Sequence, residues 1–245
     1  MICAGGKGGS RMVEIGAAGV QTDIFSPGSG GISGTPNAVL KTTDGRTYIQ
    51  CGSGPDACSV HLFDQSGRWL WSADGLVGTG GMLLTKAGNV QIPDTKKAVL
   101  NEYNWLGEKV AEIPVGGIVS GLQSLPGDRF LAVVPDLKAI VEYDSKGNKI
   151  WKMETMEGVT FARRLANGNH LLVHPGGATE FGSKGEEIWS APASNKNVWS
   201  SILCAARRPG GNTYLGTDKG VIEVTPAGKV VKTVTGGRIN SIEAR

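Results

Sequence analysis

The chain has 245 residues, 40% hydrophobic and 19% charged, which is enough apolar content to bury a core and excludes a disordered segment. Its 25 Lys and Arg against 22 Asp and Glu leave a net charge of +3 spread along the sequence, so neither nucleic acid nor a membrane surface is an expected partner. Glycine is the outlier at 38 residues without the three-residue period of collagen, which implies many short elements separated by turns, and no apolar run is long enough to span a bilayer.

The chain opens on Met1-Ile-Cys-Ala4, which reads as a short strand and lacks the basic leader of a signal peptide. A cytoplasmic location is therefore expected, with export if a leader has been removed. Gly5-Gly-Lys-Gly-Gly-Ser10 follows. It lacks the G-x-x-x-x-G-K-[ST] order and lies between two strands, so it reads as a loop and not as a phosphate cradle at a helix N-terminus. Met12-Val-Glu-Ile15 is the next strand.

From here one hairpin recurs. Phe63-Asp-Gln-Ser-Gly-Arg-Trp-Leu-Trp71, Tyr143-Asp-Ser-Lys-Gly-Asn-Lys-Ile-Trp151, Phe181-Gly-Ser-Lys-Gly-Glu-Glu-Ile-Trp189 and Val224-Thr-Pro-Ala-Gly-Lys-Val-Val231 each read as strand, turn with glycine last, strand. Weaker copies lie at Ile15–Thr22 and Tyr103–Val110. The turn glycines are Gly19, Gly67, Gly107, Gly147, Gly185 and Gly228. A second hairpin marker falls between them at Gly45, Gly88, Gly127, Gly168 and Gly211, each ahead of a short apolar run. Every repeat then has four strands, A to D, with the second marker at the A–B turn and the first at the C–D turn.

The expected fold is all-β: a six-bladed β-propeller of four-stranded antiparallel blades forming a single domain over residues 1–245. Only five A–B glycines accompany six C–D glycines, and Ile239-Asn-Ser-Ile-Glu-Ala-Arg245 has the character of an A strand. One blade should therefore join the C-terminal strand to the N-terminal strands. The expected blades are 238–245 with 1–31, then 32–79, 80–118, 119–159, 160–198 and 199–237.

Arg164-Leu-Ala-Asn-Gly-Asn-His-Leu-Leu172, with Glu180-Phe-Gly-Ser-Lys-Gly-Glu-Glu-Ile-Trp189, resembles the repeats of the pyrroloquinoline-quinone-like and arylsulfotransferase-like β-propellers. The resemblance implies the fold through nearly the whole chain and says little about activity, because the shared residues are turn glycines and packing aromatics. Arylsulfotransferases place catalytic histidines ahead of the Leu-x-Asn-Gly-Asn motif; here Thr160-Phe-Ala-Arg-Arg164 has none. The calcium ligands and vicinal disulfide of the quinone dehydrogenases are also missing, and no cofactor is expected.

Cys3, Cys51, Cys58 and Cys204 show no C-x-x-C spacing, so zinc is not expected. Cys51 and Cys58 read as free thiols unless the compartment is oxidising. Arg164, Arg207 and Arg245 fall at equivalent ends of A strands in consecutive repeats, where three guanidinium forks would hold a small anion in a channel. The alternative is that each is a solvated or carboxylate-paired arginine before a turn, with Glu243 nearby as a partner. The opposite face, made by B–C and D–A loops, collects Asp56, Asp136, His174 and Trp199, with the tryptophan either stacking on a ligand or capping the core. His174 is the one histidine placed to act on a ligand, and no acid or nucleophile accompanies it. Trp69 and Trp105 stand outside the repeated tryptophan position of Trp71, Trp151 and Trp189.

The leading expectation is a non-catalytic binding module that presents the loop face to a glycan or protein. The alternatives are a channel enzyme (hydrolase, lyase or group transferase) acting on an anionic small molecule, and a structural part of a virion or surface assembly.

Overall fold

The computed structural model describes residues 2–5, 11–15, 21–25, 34–54, 57–76, 81–195, 198–208, 210–235 and 238–242. Strands β1 (Ile2–Gly5), β2 (Arg11–Ile15) and β3 (Gln21–Phe25) pair in that order. Next come β4 (Thr35–Lys41), β5 (Thr47–Gly54), β6 (Ala57–Phe63) and β7 (Trp69–Leu76), forming one blade. A second contains β8 (Leu83–Leu84), β9 (Val90–Asp94), β10 (Val99–Tyr103) and β11 (Lys109–Pro114). A third contains β12 (Gly121–Leu125), β13 (Arg129–Val134), β14 (Ala139–Tyr143) and β15 (Lys149–Glu154).

The following blade is β16 (Phe161–Arg164), β17 (His170–His174), β18 (Gly177–Phe181) and β19 (Glu187–Pro192). Then come β20 (Ile202–Arg207), β21 (Thr213–Thr217), β22 (Gly220–Val224) and β23 (Val230–Thr235). The last strand, β24 (Arg238–Ile242), pairs antiparallel with β1, setting Ile2 opposite Ile242 and Cys3 opposite Ser241.

The structure thus shows five blades of consecutive strands, not the six-bladed count expected from the glycines. The chain ends interrupt the repeat, and the remaining four-stranded sheet, ordered β24–β1–β2–β3, is a composite of both ends. Its pairing is the join expected where the sixth A–B glycine is missing, and it gives the backbone of β24 and β1 hydrogen-bonding partners.

By internal contacts the chain divides into two compact units, Met1–Pro27 with Gly158–Arg245, and Gly28–Glu157. In the Gly28–Glu157 unit, Tyr48, Val60, Leu62 and Trp71 of one blade pack on Val90 and Ile92 of the next. Leu100 and Ile113 then pack with Phe130, Val141 and Tyr143 of the third. In the other unit Leu171, Val173, Ala178 and Trp189 meet Ala205, Leu215, Ile222 and Val224, while Cys204 and Val221 on the opposite face meet Ile239 and Ile242.

This packing explains the sequence pattern. Middle strands such as β14 and β22 are buried on both faces and read as apolar runs interrupted by a single glutamate, whereas the outer strand β15 is exposed at alternate residues. Full burial of one such leucine or isoleucine is worth about 1.5–3 kcal/mol.

The C–D turns owe their shape to two features. Asp64, Asn104 and Asp144 each accept, through Oδ1, the N–H groups two and four residues further on. The closing glycine then takes a left-handed conformation, with φ of 83° at Gly67 and 84° at Gly107, and a bulge follows in the outer strand.

Candidate functional site

Arg207 ends β20 opposite Thr213 on β21, and both terminal nitrogens of its guanidinium are occupied. One terminal nitrogen pairs with Glu180 on β18 of the preceding blade, the other donates to the Gly211 carbonyl at 3.0 Å, and the guanidinium lies 5.1 Å over the Trp189 ring. Glu180 is buried and also accepts from the side-chain amide of Asn169 at 2.7 Å and of Asn167 at 3.3 Å. Arg207 is therefore a neutralised clamp that closes one end of an inter-blade core. Arg164 ends β16 opposite His170. Burial first, and the Arg164 charge second, push the His170 imidazole down to about 4. Arg245 and Asp56 lie outside the described residues, as does Glu243.

The clamp belongs to a repeated device that the sequence reading passed over. Glu102 accepts from Asn89 at 2.7 Å and Gln91 at 2.9 Å, Glu142 from Arg129 at 2.6 Å, and Glu223 from Asn212 at 2.8 Å. Its signal is legible in retrospect: a glutamate just before Tyr103, Tyr143, Phe181 and Val224, the residues that open four of the C–D hairpins, answered by an amide or arginine near the A–B glycine.

The loop residues are committed in the same way. Asp136 accepts the Ile118 N–H at 3.0 Å. Asp218 accepts from the Ser200 hydroxyl and from the N–H groups of Ser200 at 2.9 Å and Ser201 at 3.1 Å; the hydroxyl first, and the backbone N–H groups after it, hold its carboxyl down at about 2. Each aspartate ties a B–C turn to the segment that enters the A strand of its own blade. His174 contacts the Thr179 hydroxyl through Nε2 at 2.9 Å and accepts the Gly176 N–H at Nδ1, 3.1 Å away. Both ring nitrogens are occupied, and burial keeps the imidazole below its ordinary range.

Trp199 is 3% exposed, packs within the inter-blade core and donates its indole N–H to the Pro192 carbonyl at 3.3 Å. It caps the core. A serine–histidine contact also occurs on β6, with Ser59 Oγ 2.8 Å from His61 Nε2. His61 Nδ1 is buried and, among the described residues, no side chain hydrogen-bonds to it; Asp74 acts on this imidazole through its charge alone.

Two aromatic side chains stand among the exposed large hydrophobic residues, the others being aliphatic. Trp69 is 49% exposed, Trp105 56% and Leu106 54%. The last two sit in the β10–β11 turn, which leans on the preceding blade: Trp71 donates its indole N–H to the Trp105 carbonyl at 3.0 Å. Trp71 is held in turn by Tyr48 and Tyr103, with ring centroids 6.0 and 6.1 Å away. Trp69 precedes Trp71 by two residues on β7. Its chain neighbour Arg68 pairs with Asp64, and on β11 Lys109 pairs with Glu112.

No family model and no curated protein matches the sequence. Solved structures do match it in shape. A Bacteroides caccae protein of unknown function superposes with a TM-score of 0.71 at 15% identity, covering 98% of this chain and 96% of that one. A chain of a nidogen–laminin complex gives 0.69 at 11%, covering 97% and 95%. Virginiamycin B lyase from Staphylococcus aureus gives 0.57 at 9%, covering 80% and 68%.

The fold is an all-β propeller of four-stranded antiparallel blades. Propellers of this kind include a lyase and a member of a protein complex, so the fold by itself does not select an activity.

Proposed function

We propose that the chain is a non-catalytic protein-interaction module whose contact surface centres on Trp69, Trp105 and Leu106. The observation that carries this reading is the exposure of two tryptophans from adjoining blades beside a turn pinned by the Trp71–Trp105 contact. Rigid aromatic side chains presented on a fixed scaffold lose little entropy on binding and dominate interface energetics. The charged groups that would serve a reaction are committed elsewhere: Arg207 to Glu180, and His174 to Thr179 and Gly176. The burial of Trp199 also favours this surface over the loop face expected from sequence. The shape likeness to a chain of a nidogen–laminin complex agrees with this reading.

A pull-down with the whole chain as bait, run beside a Trp69→Ser/Trp105→Ser double variant, tests it. A protein retained by the parent and lost by the double variant is expected. Identical capture by both rejects the surface, and loss of binding to a glycan array in place of a protein would reassign the partner class.

A further inference from the structure

We propose that the β8–β11 and β12–β15 blades together receive an arginine side chain of a partner protein at Glu102. Glu102 stands just ahead of the Trp105 turn on the same hairpin, so this site deepens the interaction reading above and rests on it.

One position of the repeat is built in three ways. Between β16–β19 and β20–β23 it holds Glu180, its register partner Trp189, and Arg207, which close as an ion pair lying over an aromatic ring. Between β4–β7 and β8–β11 it holds Leu62, its partner Trp71, and Leu84, an apolar seal. Between β8–β11 and β12–β15 it holds Glu102, its partner Ala111, and Ser124. Register fixes the equivalence. Arg207, Leu84 and Ser124 pair with Thr213, Val90 and Phe130, and these in turn pair with Val224, Tyr103 and Tyr143, which open the C–D hairpins.

At Glu102 the carboxylate is kept while both groups that cover it elsewhere are small: serine replaces the arginine and alanine the tryptophan. Glu180 is 4% exposed, whereas Glu102 and Ala111 are partly open and Ser124 is exposed. Asn89 and Gln91 each donate to one Glu102 oxygen, at 2.7 and 2.9 Å, so neutral amides fix the carboxylate and leave each oxygen a further acceptor site. Among the described residues no basic side chain pairs with it: Lys109 meets Glu112, Arg129 meets Glu142, and Lys86 lies 3.6 Å from Asp128.

A fixed carboxylate short of a cation, in a place that the same chain elsewhere fills with a guanidinium, suits a guanidinium from outside. Its planar fork meets both oxygens, which a lysine ammonium does not.

The probe is N-acetyl-arginine N-methylamide, titrated into the isotope-labelled whole chain while the side-chain amide signals of Asn89 and Gln91 are followed by NMR. The citrulline analogue, which keeps the shape and lacks the charge, is the control. Saturable shifts of both amides are expected with arginine, with at least about tenfold weaker binding of citrulline and loss of the shifts in Glu102→Gln. Ser124→Arg copies Arg207 onto an exposed position. It should fill the site from within and abolish the response in a chain that stays folded.

No saturable shift, equal binding of citrulline, or an unchanged response in Ser124→Arg overturns the site. In the pull-down, Ser124→Arg should lose the same protein that the Trp69→Ser/Trp105→Ser variant loses. If Ser124→Arg blocks the probe yet captures that protein at the parent level, the guanidinium belongs to a free small molecule; the partner arginine then falls and the tryptophan surface stands. Capture that survives both sets of substitutions rejects the surface and the partner arginine together.

Discussion

The indole N–H of Trp71 meets the main-chain carbonyl of Trp105 at 3.0 Å, joining the outer strand of one blade to the C–D turn of the next. Because the acceptor is backbone, the bond survives any side chain at position 105. Trp105→Ser should therefore leave stability within about 0.5 kcal/mol of the parent. Trp71→Phe deletes the donor and part of a buried ring, and should cost about 1–3 kcal/mol. Urea unfolding of the two variants checks the asymmetry, and equal losses would contradict it.

Gly107 illustrates how closely that turn approaches. Its φ is +84°, and a Cβ there would come within 3.1 Å of the Trp71 ring. Gly67 has nearly the same backbone, φ +83°, and open space around it. Gly67→Ala should cost about 1 kcal/mol from left-handed strain alone, and Gly107→Ala about 1–3 kcal/mol more, because the indole cannot retreat without losing its hydrogen bond. Denaturation midpoints of the two single variants measure the difference.

The glycine spacing made the blades and the composite sheet legible in sequence, because a turn that needs φ > 0 leaves a residue-type mark. The roles of Arg207 and Trp199 left no comparable mark. Arg207 finds Glu180 across a blade boundary, 27 residues back in the chain, a partner that no local spacing marks. Trp199 differs from Trp105 only in what packs over it, which is a property of the neighbouring strands. The repeated glutamates before Tyr103, Tyr143, Phe181 and Val224 were visible, but a single carboxylate per repeat reads as a surface residue until its amide partners are seen opposite it.

Glu180 is buried and Arg207 only 16% exposed at its side chain, so removing the arginine leaves a buried carboxylate uncompensated. Arg207→Met strands the carboxylate with only the Asn167 and Asn169 amides and should cost about 3–5 kcal/mol. Glu180→Gln should cost somewhat less, since the amide oxygen still accepts from Arg207. The Glu180→Gln/Arg207→Met double variant should be more stable than the sum of the single losses by at least about 1 kcal/mol, a coupling read from a double-mutant cycle. Additive losses would show that the two residues act independently.

Acid should loosen the chain through its histidines before its carboxylates. His170 titrates at about 4 in the folded protein, against about 6.5 in an unfolded chain, because burial and then Arg164 oppose its charge. A lowered histidine pKa means that between these values the unfolded state binds the proton and the folded state does not. Its stabilisation is therefore complete above about pH 6.5 and drains away as pH falls to about 4, amounting to about 1–3 kcal/mol. Burial also lowers His61 and His174, which steepens the same slope. Asp218, lowered from 3.8 to about 2, acts with the same proton balance in a lower window, its contribution draining away as pH falls from about 3.8 to about 2. His170→Thr, which places the residue of the equivalent position Thr213 in β17, should flatten the fall between pH 6.5 and 4 and leave the fall below pH 4 unchanged. Urea unfolding across that range at constant ionic strength reads both windows, and an unaltered upper slope in the variant would remove His170 as its source.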